Sequence, residues 1–262
     1  MRTLKLTLAY DGTNYVGWQR QPGGVSIQQL IEEAVAPLAG GTPAVAGAGR
    51  TDAGVHAIGQ VASVSLDSTL PAATLVRALN FRLPADVRVL QVEDAPDGFH
   101  ARFHAVGKRY RYRVAIAPVL PPFDRYFVWH APEPRDLGAM QSAAGALAGR
   151  HDFASFQAAG GDTEPEDTVR TIRELAIRAT ADELTFEVEG DGFLRHMVRA
   201  MVGTLLEIGA GRRSAASITS LLAARDRQAA GRTAPAQGLT LVEVSYGSEG
   251  ERVRVTLSPF DQ

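Results

Sequence analysis

Apolar and polar residues alternate from the start of the chain. Leu4, Leu6, Leu8 and Tyr10 interleave with Thr3, Lys5, Thr7 and Ala9, the two-residue period of a half-buried strand. Asp11-Gly12-Thr13-Asn14 is a turn cluster that stops it. From Ser26 to Leu38 the period lengthens. Ile27, Leu30, Ile31, Ala34, Val35 and Leu38 fall at helical spacing, Ser26 and Gln29 form a capping-box pattern, and Gly40-Gly41 close the helix. Strands are predicted over Val61–Leu66 and Val87–Val92, with a short helix over Leu70–Leu79 between them. In Lys108–Val114, Lys108, Tyr110, Tyr112 and Val114 face one way and Arg109, Arg111 and Arg113 the other.

The proline-rich run Pro118–Pro134 reads as a connecting loop around Phe123, Tyr126, Phe127 and Trp129. Asp136–Leu147 follows as a helix. Val169–Arg178 and Glu183–Glu189 pair as a hairpin over Ala179-Thr180-Ala181-Asp182. Asp191–Gly203 opens the most apolar helix, with Arg195 and Arg199 together at the margin of its stripe. Leu239–Tyr246 and Arg252–Leu257 read as strands. Both halves run roughly strand, helix, strands, helix, strand. The expected fold is therefore α/β (α+β), with two ferredoxin-like βαββαβ halves in a mostly antiparallel sheet, helices on one face and a central cleft. The halves are 1–106 and 107–262, divided near Val106-Gly107.

Composition narrows the class without choosing an activity. The 262 residues suffice for one large or two modest domains, and 45% hydrophobic with 21% charged residues is ordinary for a globular protein. No apolar run reaches membrane-spanning length, and Met1-Arg2-Thr3-Leu4-Lys5 enters a strand pattern instead of a signal peptide. The absence of cysteine excludes disulfides and thiolate metal sites and fits a cytoplasmic protein. A net charge of −2 does not announce a nucleic-acid binder, yet cations cluster in Arg102–Arg113, Arg195–Arg213 and Arg225–Arg232.

The stretch richest in chemistry is Gly47-Ala48-Gly49-Arg50-Thr51-Asp52-Ala53-Gly54-Val55-His56-Ala57. Its glycines permit a sharp bend and close approach of another molecule. In an extended chain Arg50 and Asp52 share a side, so the guanidinium would hold the carboxylate ionised and ready as nucleophile or base. A plain Asx turn is the structural alternative. A dinucleotide fingerprint fails because Asp52 stands where its third glycine belongs. Tyr15-Val16-Gly17-Trp18-Gln19-Arg20-Gln21 could stack on bases or pack beneath its own loop. The tyrosine and arginine strand suits RNA but equally a surface strand with packed tyrosines. His151, Asp152 and Ser155 form no hydrolase site, for no Gly-x-Ser-x-Gly elbow accompanies them.

Gly49-Arg50-Thr51-Asp52-Ala53-Gly54-Val55-His56 resembles the signature of the TruA family of tRNA pseudouridine synthases. Tyr10–Gln21, Lys108–Val114 and Asp191–Gly203 resemble further motifs of that family. The resemblance runs from Tyr10 to about Val244; Phe81 after Asn80 and the acidic loop Gly160–Asp167 depart from the pattern.

The resemblance implies isomerisation of uridine in the anticodon arm of tRNA, with positions 38, 39 and 40 the family's targets. It implies Asp52 as catalytic nucleophile, Tyr110 stacking on the base and taking a proton, and Arg199 paired with Asp52. Periodicity alone leaves Tyr110 and Tyr112 as competitors. Arg50, Thr51, Lys108, Arg109 and Leu241 are expected to contact substrate. The same resemblance implies a homodimer, and the chemistry calls for no cofactor or metal. The rival expectation is an RNA-binding or tRNA-folding module without catalysis; a glycosidic hydrolase would need a second carboxylate.

Overall fold

The computed structural model describes residues 1–39, 43–133, 135–158 and 167–247. Gly40-Gly41, most of the acidic loop and the strand expected over Arg252–Leu257 lie outside the described residues, as does Pro134. The chain divides into two units, Met1–Val106 with the C-terminal stretch from Leu241, and Gly107–Thr240.

The first unit follows the order read from the sequence: β1 (Arg2–Tyr10), α1 (Ile27–Ala39), β2 (Ala46–Gly47), β3 (His56–Leu66), α2 (Ala72–Arg82) and β4 (Val87–Ala95). Strand β1 lies between β3 and β4 and is antiparallel to both, while β2 pairs with β3. Leu4, Leu6, Leu8 and Tyr10 are buried as their alternation requires. Thr3 and Thr7 are buried too, on a strand paired along both edges. Ser26 Oγ accepts the Gln29 N–H at 3.2 Å, so the expected cap opens α1. Ile27, Ile31, Ala34 and Val35 form its buried face. Helix α2 begins two residues later than expected, behind Pro71.

The second unit contains β5 (Ala105–Ala115, from Gly107 on), β6 (Trp129–His130), α3 (Leu137–Leu147), β7 (Gly149–Asp152), β8 (Val169–Ala179), β9 (Glu183–Gly190), α4 (Met197–Gly209) and α5 (Ser217–Ala224). Its sheet runs β5-β9-β8-β7 with antiparallel neighbours, and the short β6 lies parallel to the end of β5. The hairpin of β8 and β9 is the one expected. Asp136 Oδ1 accepts the Ala139 N–H at 2.9 Å and caps α3. Helix α5, to which the sequence pattern assigned no element, buries only Ile218 and Leu221 of its eight residues, too little pattern to show a period.

The last described strand, β10 (Leu239–Tyr246), lies beside β3. From Leu241 onward it belongs to the first unit, whereas the sequence reading kept it with the second half. A methyl group on Gly59 of β3 would meet the Val242 carbonyl oxygen at 2.1 Å, so only glycine permits this approach. Both units combine helices with mostly antiparallel strands, and the α+β reading holds.

Helix α4 opens six residues later than the apolar pattern suggested. Asp191 is tied to β8, its Oδ1 accepting the Thr171 N–H at 2.9 Å and its own N–H donating to the Thr171 carbonyl at 3.1 Å. His196 then adopts φ 60°, a left-handed conformation that cannot continue into a right-handed helix. Arg195 therefore lies outside the helix, exposed, and does not share a helical face with Arg199.

Candidate functional site

Asp52 occupies the turn between β2 and β3. The Val55 N–H donates to the Asp52 carbonyl at 3.1 Å and Gly54 has φ +77°, the left-handed position that such a turn reserves for glycine. The side chain of Asp52 is half-buried, whereas its neighbours Thr51 and Val55 are buried.

The segment after β1 braces this turn from below. The Trp18 N–H donates to the Thr51 carbonyl at 3.0 Å. A methyl on Gly17 would lie 2.5 Å from that same oxygen, and one on Gly12 would lie 2.0 Å from the Val55 carbonyl. The Gly12 N–H donates to His56 Nδ1 at 3.0 Å, and Asp11 Oδ1 lies 3.2 Å from that nitrogen. Trp18 is buried, and Gly47 is packed so closely on its indole that an added methyl would meet the ring at 2.3 Å. Trp18 thus packs beneath the loop. Tyr15 Oη donates to Asp86 at 2.6 Å.

A second brace comes from polar side chains inside the unit. Tyr10 Oη and Thr51 Oγ1 are 2.8 Å apart. Gln60 Nε2 donates to the Gly49 carbonyl at 3.0 Å, and Gln60 Oε1 accepts the Val61 N–H at 3.1 Å. Burial pushes the Tyr10 phenol up to about 12, against smaller lowering by its bonds to Thr51 and Gln60. Tyr10 is therefore neutral at physiological pH and can donate. The sequence reading missed Tyr10, His56 and Gln60 as supports. Their signal was available: His56 and Gln60 are bulky polar residues in a strand rich in valine and alanine.

Arg50 is exposed, and among the described residues it makes no hydrogen bond or ion pair. The guanidinium expected to hold Asp52 ionised from two residues away does not pair with it. Leu241, in β10, is fully buried.

In the second unit, β5 carries Lys108, Arg109 and Tyr110. Tyr110 stands opposite Val188 of β9, is 7% exposed, and meets the Phe193 ring edge-on at 5.0 Å. Tyr112 is more deeply buried. Its hydroxyl donates to the Pro235 carbonyl at 2.7 Å, a methyl on Gly238 would press on its ring, and burial holds its phenol far above the ordinary value. On the other face, Arg109 contacts Glu189 at 2.8 Å, Arg111 contacts Glu187 at 2.8 Å and Arg113 contacts Glu183 at 2.7 Å. These glutamates line the facing strand β9, so the arginine row is a cross-strand ladder of ion pairs.

Arg199 is half-buried on α4. Its Nε donates to the Ala234 carbonyl at 2.7 Å, and its own carbonyl accepts the Ala234 N–H at 3.0 Å. The segment before β10 is thereby fixed along the helix. Gly203 allows it, since a methyl there would sit 1.8 Å from the Arg232 carbonyl oxygen. The triad of His151, Asp152 and Ser155 does not form. Ser155 Oγ donates to the Leu221 carbonyl, His151 Nε2 lies 2.8 Å from the Ala148 carbonyl, and Asp152 is held by Thr168, Ala154 and Arg225. Among the described residues no group of three His, Asp or Glu could hold a metal ion.

The sequence profile described as tRNA pseudouridine synthase matches residues 7–104 and 143–247. A protein of Syntrophotalea carbinolica named tRNA pseudouridine synthase A is 47% identical over 249 residues, 95% of this chain and 98% of that protein. One of the same name from Myxococcus xanthus is 49% identical over 247 residues, 94% of this chain and 92% of that protein. A third, from Lacticaseibacillus casei, is 45% identical over 249 residues and is covered completely. Matches of this extent define the class as an isomerase, a pseudouridine synthase. Within that class the chain belongs to the TruA family of tRNA pseudouridine synthases.

Proposed function

We propose that this protein converts uridine to pseudouridine in the anticodon stem-loop of tRNA, at positions 38, 39 and 40, with Asp52 as nucleophile. The observation that carries the reading is the presentation of Asp52. Its carboxylate is half-exposed on a turn whose flanking residues are buried and hydrogen-bonded from two directions. A side chain held in this way keeps its geometry while a substrate approaches.

The reaction breaks the bond between C1′ and N1 of the nucleoside and forms one between C1′ and C5. The C5 hydrogen leaves as a proton and N1 gains one, so the sum is an isomerisation with no redox step and no group donor, and the proposal includes no cofactor or metal. Asp52 either attacks C1′ or assists departure of the base by removing a sugar proton; both routes need it ionised. Arg199 pairs with Asp52 to keep it so. The target base leaves the stack at a cost of a few kcal/mol. Tyr110 then stacks on the uracil and takes the C5 proton at the end. Thr51 and Leu241 shape the substrate's surroundings, and Arg50, Lys108 and Arg109 contact the substrate, Arg109 without giving up its ion pair to Glu189. The proposal extends to a homodimer in the cytoplasm. No helix among the described residues is long and apolar enough to cross a membrane.

Tritium release from tRNA carrying [5-³H]uridine tests the reading, because forming the new carbon–carbon bond expels that hydrogen. The parent protein should release tritium. Its Asp52→Asn form should bind the same tRNA and release none. Binding by the parent without release would overturn the catalytic reading and leave a non-catalytic tRNA-binding module.

A further inference from the structure

The loop between β4 and β5 brings an exposed ring and a cation together on the first unit's surface. Phe103 is 74% exposed, and the His100 ring lies under it at 4.3 Å with 32° between the planes. The guanidinium of Arg102 sits 5.9 Å from the same phenyl ring. Arg102 is exposed and among the described residues its side chain makes no hydrogen bond or ion pair. A phenyl ring left in water, stacked on one side and flanked by an uncompensated cation, is not explained by packing.

The loop is also preorganised. Buried Ala101 is fastened twice, its N–H donating to Ser63 Oγ at 3.0 Å and its carbonyl accepting from Tyr246 Oη at 2.7 Å. His100 Nδ1 accepts the Arg102 N–H at 3.1 Å, and His104 Nδ1 accepts the His100 N–H at 3.2 Å. With both Nδ1 atoms acting as acceptors, each neutral imidazole carries its hydrogen on Nε2. The loop therefore offers one flat apolar face, a guanidinium and two imidazole N–H donors, held in shape before any partner arrives.

We propose that His100, Arg102 and Phe103 form a docking platform for tRNA outside the residues assigned to the chemistry. An unpaired base stacks on Phe103, and the adjoining phosphate is met by Arg102. Flat faces beside cations match single-stranded nucleic acid, because every base has a π-face and every linkage a negative charge. An acidic peptide or a second copy of the chain would use the cation but would not require the stacked ring pair. The inference rests on the reading that the protein acts on tRNA, and its test separates the two.

Filter binding of full-length protein to a tRNA transcript, at several salt concentrations, is combined with tritium release at saturating tRNA. Phe103→Ala should weaken binding about tenfold, within the range for loss of one stacked base, with an unchanged salt slope. Its release rate at saturation should stay within about twofold of the parent, and Phe103→Trp should restore affinity. Arg102→Gln should lower the salt slope by about one. Parental affinity in Phe103→Ala, while the parent releases tritium, overturns the platform alone. A shift in sedimentation of Phe103→Ala with unchanged affinity also overturns it and assigns the patch to self-association. Loss of affinity in Phe103→Ala when the parent releases no tritium supports the platform and sinks the catalytic reading. A parent that binds no tRNA overturns both.

Discussion

The hydroxyls of Tyr10 and Thr51 meet at 2.8 Å in the interior of the first unit, one residue from Asp52. The last residue of β1 thereby holds the loop on which the proposed nucleophile stands. Tyr10→Phe keeps the packing and deletes the bond. Loss of one buried hydrogen bond costs about 1 kcal/mol of stability. Because Asp52 loses a brace, the turnover of tritium release should fall several-fold while KM for tRNA stays within twofold. Urea unfolding and steady-state kinetics of the same variant check both outcomes. An equal loss in Thr51→Val, with no further loss in the double variant, would show that one bond carries the effect.

Tyr10 also gives a dependence on alkaline pH. Its folded value is raised from 10 to about 12, so the folded chain keeps a proton that the unfolded chain releases in that interval. The contribution is intact below pH 10 and is lost as pH rises from 10 to 12, at up to about 1.4 kcal/mol per pH unit. Urea midpoints measured from pH 9 to 12 should fall more steeply for the parent than for Tyr10→Phe. Parallel curves would count against it.

Gly203 lies within α4, where alanine would ordinarily improve helix propensity by about 1 kcal/mol. Here the added methyl would sit 1.8 Å from the Arg232 carbonyl oxygen, in backbone that Arg199 and Ala234 hold in place. Gly203→Ala should therefore destabilise by about 2 kcal/mol or more. A gain in melting temperature would refute the close approach.

The two tyrosines of β5 should separate by experiment as they do by environment. Tyr110→Phe retains the ring against Phe193 but loses the phenol proposed to take the C5 proton, so tritium release should drop strongly. Tyr112→Phe loses the bond to the Pro235 carbonyl, and its main effect should be on stability, by about 1 kcal/mol. Thermal melts and release rates of the pair decide; the reverse pattern would move the catalytic role to Tyr112.

Arg111 and Glu187 form a partly exposed ion pair. Arg111→Gln should change stability by less than about 1 kcal/mol. With its charge engaged by Glu187, this arginine should also leave the salt slope of tRNA binding unchanged. A slope reduced by about one unit would show instead that RNA displaces the glutamate.

Much of this organisation is written locally. The alternation of Leu4 to Tyr10, the cap at Ser26, the hairpin of Val169 and Glu183 and the glycines of the Asp52 turn each depend on neighbours a few positions away, so a linear pattern shows them. The family motif at Asp52 was legible for the same reason. What the sequence left open depends on distant parts of the chain. The strand Leu239–Tyr246 was legible as a strand, but lies beside β3 because Gly59 admits the Val242 carbonyl. The apolar run from Phe193 could not show that His196 turns left-handed and delays the helix to Met197. Arg50 and Asp52, adjacent by alternation, make no ion pair with each other. Tyr10, Thr51 and Gln60, spread over 50 residues, become one brace only when β1 and β3 pair. Periodicity determines which face of an element is apolar; pairing and burial decide which polar groups meet, because a buried hydroxyl or amide must find its partner wherever the fold brings one.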